Sequence, residues 1–123
     1  MEKNKIIEKL TLFTPIVKEK HIEIVLPVAV KIYNDCLSLH ITPKSDGFTI
    51  SDDAKTFSQF NKSTKYYYDL FMQNDKNNHY EIKLNNNLIY KKYPDNFNLT
   101  FALNEFIRFF IDLDNFIKDN NLT

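Results

Sequence analysis

The chain has one glycine, one cysteine, one arginine and no tryptophan among its 123 residues. Each shortage removes a class of function. One glycine cannot build a glycine-rich phosphate loop, and no Gly-x-Ser-x-Gly turn holds out a serine nucleophile. One cysteine, Cys36, cannot close an intramolecular disulfide. With Arg108 as the only arginine, the bidentate forks that read guanine or clamp phosphate are almost missing. Basic and acidic side chains balance at 16 each. No long-range field therefore gathers a phosphate backbone, and direct binding of nucleic acid is not expected. No apolar run nears the roughly 20 residues that a membrane-spanning helix needs. Residues 1–9 alternate charges instead of leading into an apolar signal segment. The expectation is a cytoplasmic protein without a membrane partner.

What is abundant is apolar and aromatic: 43% of residues are hydrophobic, with 11 Phe and 7 Tyr. That supplies one core, and the length leaves no room for a second, so residues 1–123 read as a single α+β domain. Ile6, Ile7 and Leu10 have helical spacing and mark a short N-terminal helix, which must dock on the rest to persist. Ile22, Ile24, Leu26, Val28, Val30 and Ile32 recur with period two and mark a strand. Pro27 inside it cannot donate to a ladder, so the strand should lie at an edge or bulge there. Leu37, Leu39 and Ile41, then Phe48 and Ile50, read as a hairpin around Ser45, Asp46 and Gly47. Phe57, Phe60, Tyr67, Leu70 and Phe71 fit one or two short helices over 56–72. Tyr80, Ile82 and Leu84, with Leu88 and Tyr90 beyond the Asn-rich turn at 85–87, read as a second hairpin. Asn98 is placed to cap a long helix whose stripe runs Leu99, Ala102, Leu103, Phe106, Phe110, Leu113 and Ile117. Ile107 and Ile111 widen that stripe, and the flank is a candidate surface for a homo-oligomer.

Segments 21–30, 38–60 and 80–90, with the aromatic final helix, carry a resemblance. Thr14 and Pro15 stand near the start, Ile22, Glu23 and Ile24 form a strand, and Ser51, Asp52 and Asp53 end another. In these features the chain resembles the bacterial and phage family called domain of unknown function 1828, with Ala54 where that family has glycine. The resemblance implies an α+β fold and a home in prophages or mobile elements, and it brings no established activity. Small phage proteins commonly inhibit host machinery, CRISPR nucleases among them, by occupying a surface.

Few residues suggest chemistry. Glu81 and Lys83 have the glutamate-x-lysine spacing of metal-dependent nucleases, and Asp52 could supply the upstream carboxylate. Against this, a helix intervenes between Asp52 and Glu81, and such acids are common on solvated strands. Ser51, Asp52 and Asp53 could hold a hard cation, but a strand end whose aspartate caps the following helix explains them as well. Cys36 and His40, with His21 and His79 elsewhere, could suggest zinc or a thiol nucleophile, but a spacing of four along a strand separates the first two by about 13 Å at about 3.3 Å per residue. No catalytic residue, metal ligand or cofactor is therefore assigned. Tyr66, Tyr67 and Tyr68, beside Lys62 and Lys65, are the best sign of a partner, because three consecutive tyrosines cannot all face inward on one helix.

The leading expectation is a non-enzymatic domain that binds a host or bacterial protein, a defence protein such as a CRISPR nuclease, and inhibits it. Tyr66, Tyr67 and Tyr68 would be aromatic contacts, with Asp52 and Asp53 as acidic ones. The alternative is a divalent-metal nuclease-like domain, or its degenerate relative, built on Asp52, Glu81 and Lys83.

Overall fold

A computed structural model describes residues 2–9, 15–33 and 35–122. Leu10 and Thr14, named above, lie outside the described residues.

The alternating segments form one antiparallel sheet. Its strands are β1 (Ile16–Val17), β2 (Ile22–Val30), β3 (Asp35–Lys44), β4 (Gly47–Ser51), β5 (Lys83–Asn85) and β6 (Leu88–Pro94). They lie in the order β1-β2-β3-β4-β6-β5. The helices are α1 (Lys3–Lys9), α2 (Thr64–Gln73) and α3 (Leu99–Asp119), with a 3-10 turn over Lys31–Tyr33. Both α1 and α2 contact α3, and α3 contacts β2. The α+β class, the short first helix and the long last helix are as the sequence indicates.

Register follows from the pleat, since residues two apart share a face. Ile22, Ile24, Leu39, Ile41, Phe48, Ile50, Ile89 and Tyr93 are buried beneath the helices in one core with Phe106, Phe109, Phe110 and Leu113 of α3. The alternate residues form the other face. Val25, Lys83 and Lys92 are exposed there, and Glu23, Ser38, His40, Thr42, Thr49, Ser51 and Tyr90 lie beside them. The pairing of β2 with β3 shifts register between Val25 and Ala29. Pro27 thus sits in a bulge, one of the two outcomes its missing N–H allows.

Helix ends also follow the sequence. Asn98 caps α3 by accepting from the Phe101 N–H at 3.1 Å. Ser63 caps α2 by accepting from the Tyr66 N–H at 3.3 Å. Neither Asp52 nor Asp53 caps that helix, and residues 52–62 are turns rather than helix. Asp53, Ala54 and Phe57 take positive φ of 56°, 59° and 62°, the left-handed region that no helix tolerates. Phe57 is held there by stacking on Tyr67, 4.4 Å between ring centroids, and by its N–H bond to the Ile32 carbonyl, 2.8 Å. The single glycine, Gly47, opens β4 where the strand meets β6. A Cβ there would sit 1.9 Å from the Tyr93 carbonyl oxygen, so only glycine permits the approach.

Candidate functional site

The two faces of the sheet treat polar groups differently. Beneath the helices, Asp52 is 0% exposed and its carboxylate accepts three backbone N–H bonds. These come from Ala54 at 2.9 Å, Ile89 at 3.0 Å and Thr56 at 3.2 Å. Burial pushes its carboxyl above the usual range, against the pull of those amides. Asp52 therefore ties the strained turn to β6, a structural task. On the same side the Tyr93 hydroxyl donates to Glu105 at 2.7 Å and Lys91 donates to Glu105 at 2.9 Å. The Tyr80 hydroxyl donates to Asp112 at 2.5 Å. Burial and the carboxylate each donates to raise both phenols.

On the other face, β2 and β3 bring together side chains far apart in the chain. Glu23 lies directly opposite His40, and His21 stands two residues before Glu23 on the same face. The His21 and His40 rings stack at 4.3 Å between centroids, 10° from parallel. His40 Nε2 lies 3.6 Å from Glu23 Oε2 and 3.8 Å from Asp53 Oδ2. Ser38 Oγ donates to Glu23 Oε1 at 3.0 Å, which turns the other carboxylate oxygen toward the imidazoles. Nε2 of His21 and Nε2 of His40 are both buried without a hydrogen-bond partner. Burial lowers the His40 pKa, with Asp53 opposing the shift and His21 adding to it. The neutral imidazole is therefore the favoured form.

The residues singled out from sequence fare unequally. Tyr66 is 41% exposed, with the Lys62 ammonium 5.3 Å from its ring centroid. Tyr67 is buried against Phe57 and Phe60. It cannot reach a partner, because its position on α2 points at the core. Tyr68 is half-buried and donates to the Ile82 carbonyl at 2.6 Å. Asp52 is likewise removed from any contact surface by its burial, whereas Asp53 is exposed beside Lys55.

The proposed nuclease set does not assemble. Asp52 and the Glu81-Lys83 segment are separated by β6, and the Asp52 carboxylate is occupied by backbone amides. Glu81 precedes β5 and reaches toward Lys91 at 3.8 Å. Ile107 packs on the core and Ile111 is exposed. Cys36 pairs with Ala29 across β2 and β3, four residues along the strand from His40.

A second feature lies at the start of α3. Phe101 is 67% exposed and Phe97 37%. They flank a cleft of about 480 Å³ whose other walls are His79, Tyr80, Lys91, Asn104, Glu105 and Arg108. Its acidic and phenolic groups are engaged: Glu105 binds Lys91 and Tyr93, and Tyr80 binds Asp112. The sequence does not indicate this cleft, and it offers His21 and His40 only as separate residues, not as a pair. The histidines depend on a strand register, and the exposed phenylalanines depend on which side of the α3 stripe meets the sheet.

No protein-family model, curated protein or solved structure matches the chain. No helix among the described residues is long and apolar enough to cross a membrane.

Proposed function

We propose that this chain is a non-enzymatic protein-binding domain, encoded by a phage or mobile element, that acts in the cytoplasm by occupying the surface of a host defence protein. The observation that carries the binding reading is the Phe97–Phe101 cleft. An aromatic ring two-thirds exposed on the first turn of a well-anchored helix keeps apolar surface in water. Rigid aromatics beside a single arginine have the composition of binding hot spots, where Tyr, Trp and Arg prevail and a preordered anchor loses little entropy on docking. The occupant that fits is an apolar side chain from a partner, flanked by a carboxylate for Arg108.

What supports a non-enzymatic role is that Asp52, the upstream carboxylate of the nuclease alternative, is buried with its oxygens filled by three backbone amides. The choice of a defence protein as target rests on the family resemblance alone.

The test is a tagged pull-down from nuclease-treated bacterial lysate, comparing the full chain with Phe101→Ala and with Phe97→Ala/Phe101→Ala. A stoichiometric protein that is captured by the wild type and lost from the double variant supports the reading. Capture that is indifferent to both changes, or no protein partner at all, overturns it. Tyr66→Ala in the same assay reports whether the exposed tyrosine extends the contact.

A further inference from the structure

We propose that His21, Glu23 and His40 form a binding site for one divalent transition ion of the zinc class, on the sheet face that the helices leave uncovered. Their ligand atoms all lie within 4.8 Å of one another. His40 is only 8% exposed, and its Nε2 has no hydrogen-bond partner, as is true of the buried Nε2 of His21. Buried nitrogen without a partner is rare in folded proteins, because nothing then replaces the lost hydration. His40 Nε2 lies 3.6 Å from Glu23 Oε2, and an ion bound by both imidazoles accounts for the two unpartnered nitrogens.

The donor set selects the ion. Two imidazoles and a carboxylate suit zinc and neighbouring first-row ions, whereas magnesium and calcium take oxygen ligands. Ser38 supplies the supporting shell: its hydroxyl holds Glu23 Oε1 at 3.0 Å and leaves Oε2 for the ion. Outer contacts of this kind orient metal ligands. Asp53 Oδ2 lies 3.8 Å from His40 Nε2 but outside that three-residue group.

The stacked rings also dictate a motion. Lone pairs on two near-parallel imidazoles cannot both point at one centre, and bonds of about 2.0–2.1 Å require the donors to draw closer. His40 is fixed in the middle of β3, while His21 is half-buried and precedes the first residue of β2. Binding therefore swings His21 out of the stack and leaves His40 where it is.

The experiment is a calorimetric titration of zinc into the EDTA-treated full chain, with histidine-ring proton NMR spectra recorded alongside. The expected result is one ion per chain, with His21 and His40 signals shifted and those of His79 unmoved. Affinity should fall tenfold or more in His21→Ala, His40→Ala and Glu23→Gln, and about 10- to 100-fold in Ser38→Ala. Should His40→Ala fail to fold, His21→Ala decides, since its side chain lies at the strand end. No saturable binding, equal affinity for magnesium, or binding unaltered in His21→Ala overturns the proposal. The Phe97–Phe101 variants take no part in this test, so the two proposals stand or fall separately.

Discussion

His40 on β3 and Asp52, just past the end of β4, are buried polar residues on opposite sides of the same sheet. His40 pairs with Ser51, the residue before Asp52. Asp52 has its carboxylate filled by three backbone amides, while His40 keeps a buried nitrogen without a hydrogen bond. The contrast extends to their surroundings. Three of the four buried side-chain atoms without a partner among the described residues, in His21, His40 and Thr49, belong to the uncovered face. Beneath the helices, Asp114 also accepts a backbone bond, from the Ile32 N–H at 3.1 Å. A polar group sealed by helices is reached by no outside donor and is best satisfied within the chain, as Asp52 and Asp114 are; Thr56 Oγ1 is the exception among the described residues. A polar group on the open face can be completed by something that arrives later.

The largest expected effect breaks the satisfied half of that contrast. Asp52→Ala strands three amides in the interior and should lower unfolding free energy by about 3–5 kcal/mol in a urea titration. Asp52→Asn should also be destabilising, because its NH₂ faces donors. Retention of wild-type stability in both would show that Asp52 does not hold the turn.

Alkaline pH tests the phenols next. Tyr80 and Tyr93 have raised pKa values in the fold, against about 10 when unfolded. Their contribution is complete below pH 10 and is lost as pH rises toward the folded values. Above pH 10, stability should fall by up to about 1.4 kcal/mol per pH unit for each phenol. Thermal melts between pH 9 and 12 should show this slope, and Tyr80→Phe should reduce it.

A smaller effect, of opposite sign, sharpens the comparison. Replacing an unsatisfied buried polar group by an apolar one of similar size removes a desolvation cost. His40→Leu should stabilise the EDTA-treated protein by about 1 kcal/mol, and a loss of similar size would mean that His40 has an intramolecular partner after all. The smallest effect concerns the backbone alone. Ala54 sits at φ 59°, where alanine is strained and glycine is not. Ala54→Gly should gain about 0.5–1 kcal/mol in the same denaturation assay, after its greater unfolded-state entropy has offset part of the relief.

Much of the fold was legible because single residues carried it. Period-two alternation located β2, β3, β4 and β6, although Ile32 falls in the 3-10 turn and Tyr80 and Ile82 precede β5; Pro27 pointed to an edge or a bulge, and Asn98 announced the start of α3. The turn after β4 was misread because Phe57 and Phe60 have helical spacing, although left-handed backbone at Asp53, Ala54 and Phe57 excludes a helix there. Strand β1 is two residues long, too short for any periodicity to show. The binding features were harder still. His21 meets His40 only through a register that hydrophobic alternation leaves open, since a shift of two residues keeps every apolar side chain on the same face. Tyr66, Tyr67 and Tyr68 are chemically alike as a string, and only the angle at which α2 docks separates the exposed one from the buried one.

The lone glycine makes one position in the chain intolerant of variation. Any coding change at Gly47 adds at least a Cβ where the Tyr93 carbonyl already stands, and that carbonyl is backbone, with no rotamer to move aside. In a saturation library the neighbouring turn residues Ser45 and Asp46, both exposed, should accept many replacements while Gly47 accepts none. A drifting gene would thus keep this codon fixed for a reason unrelated to what the protein binds.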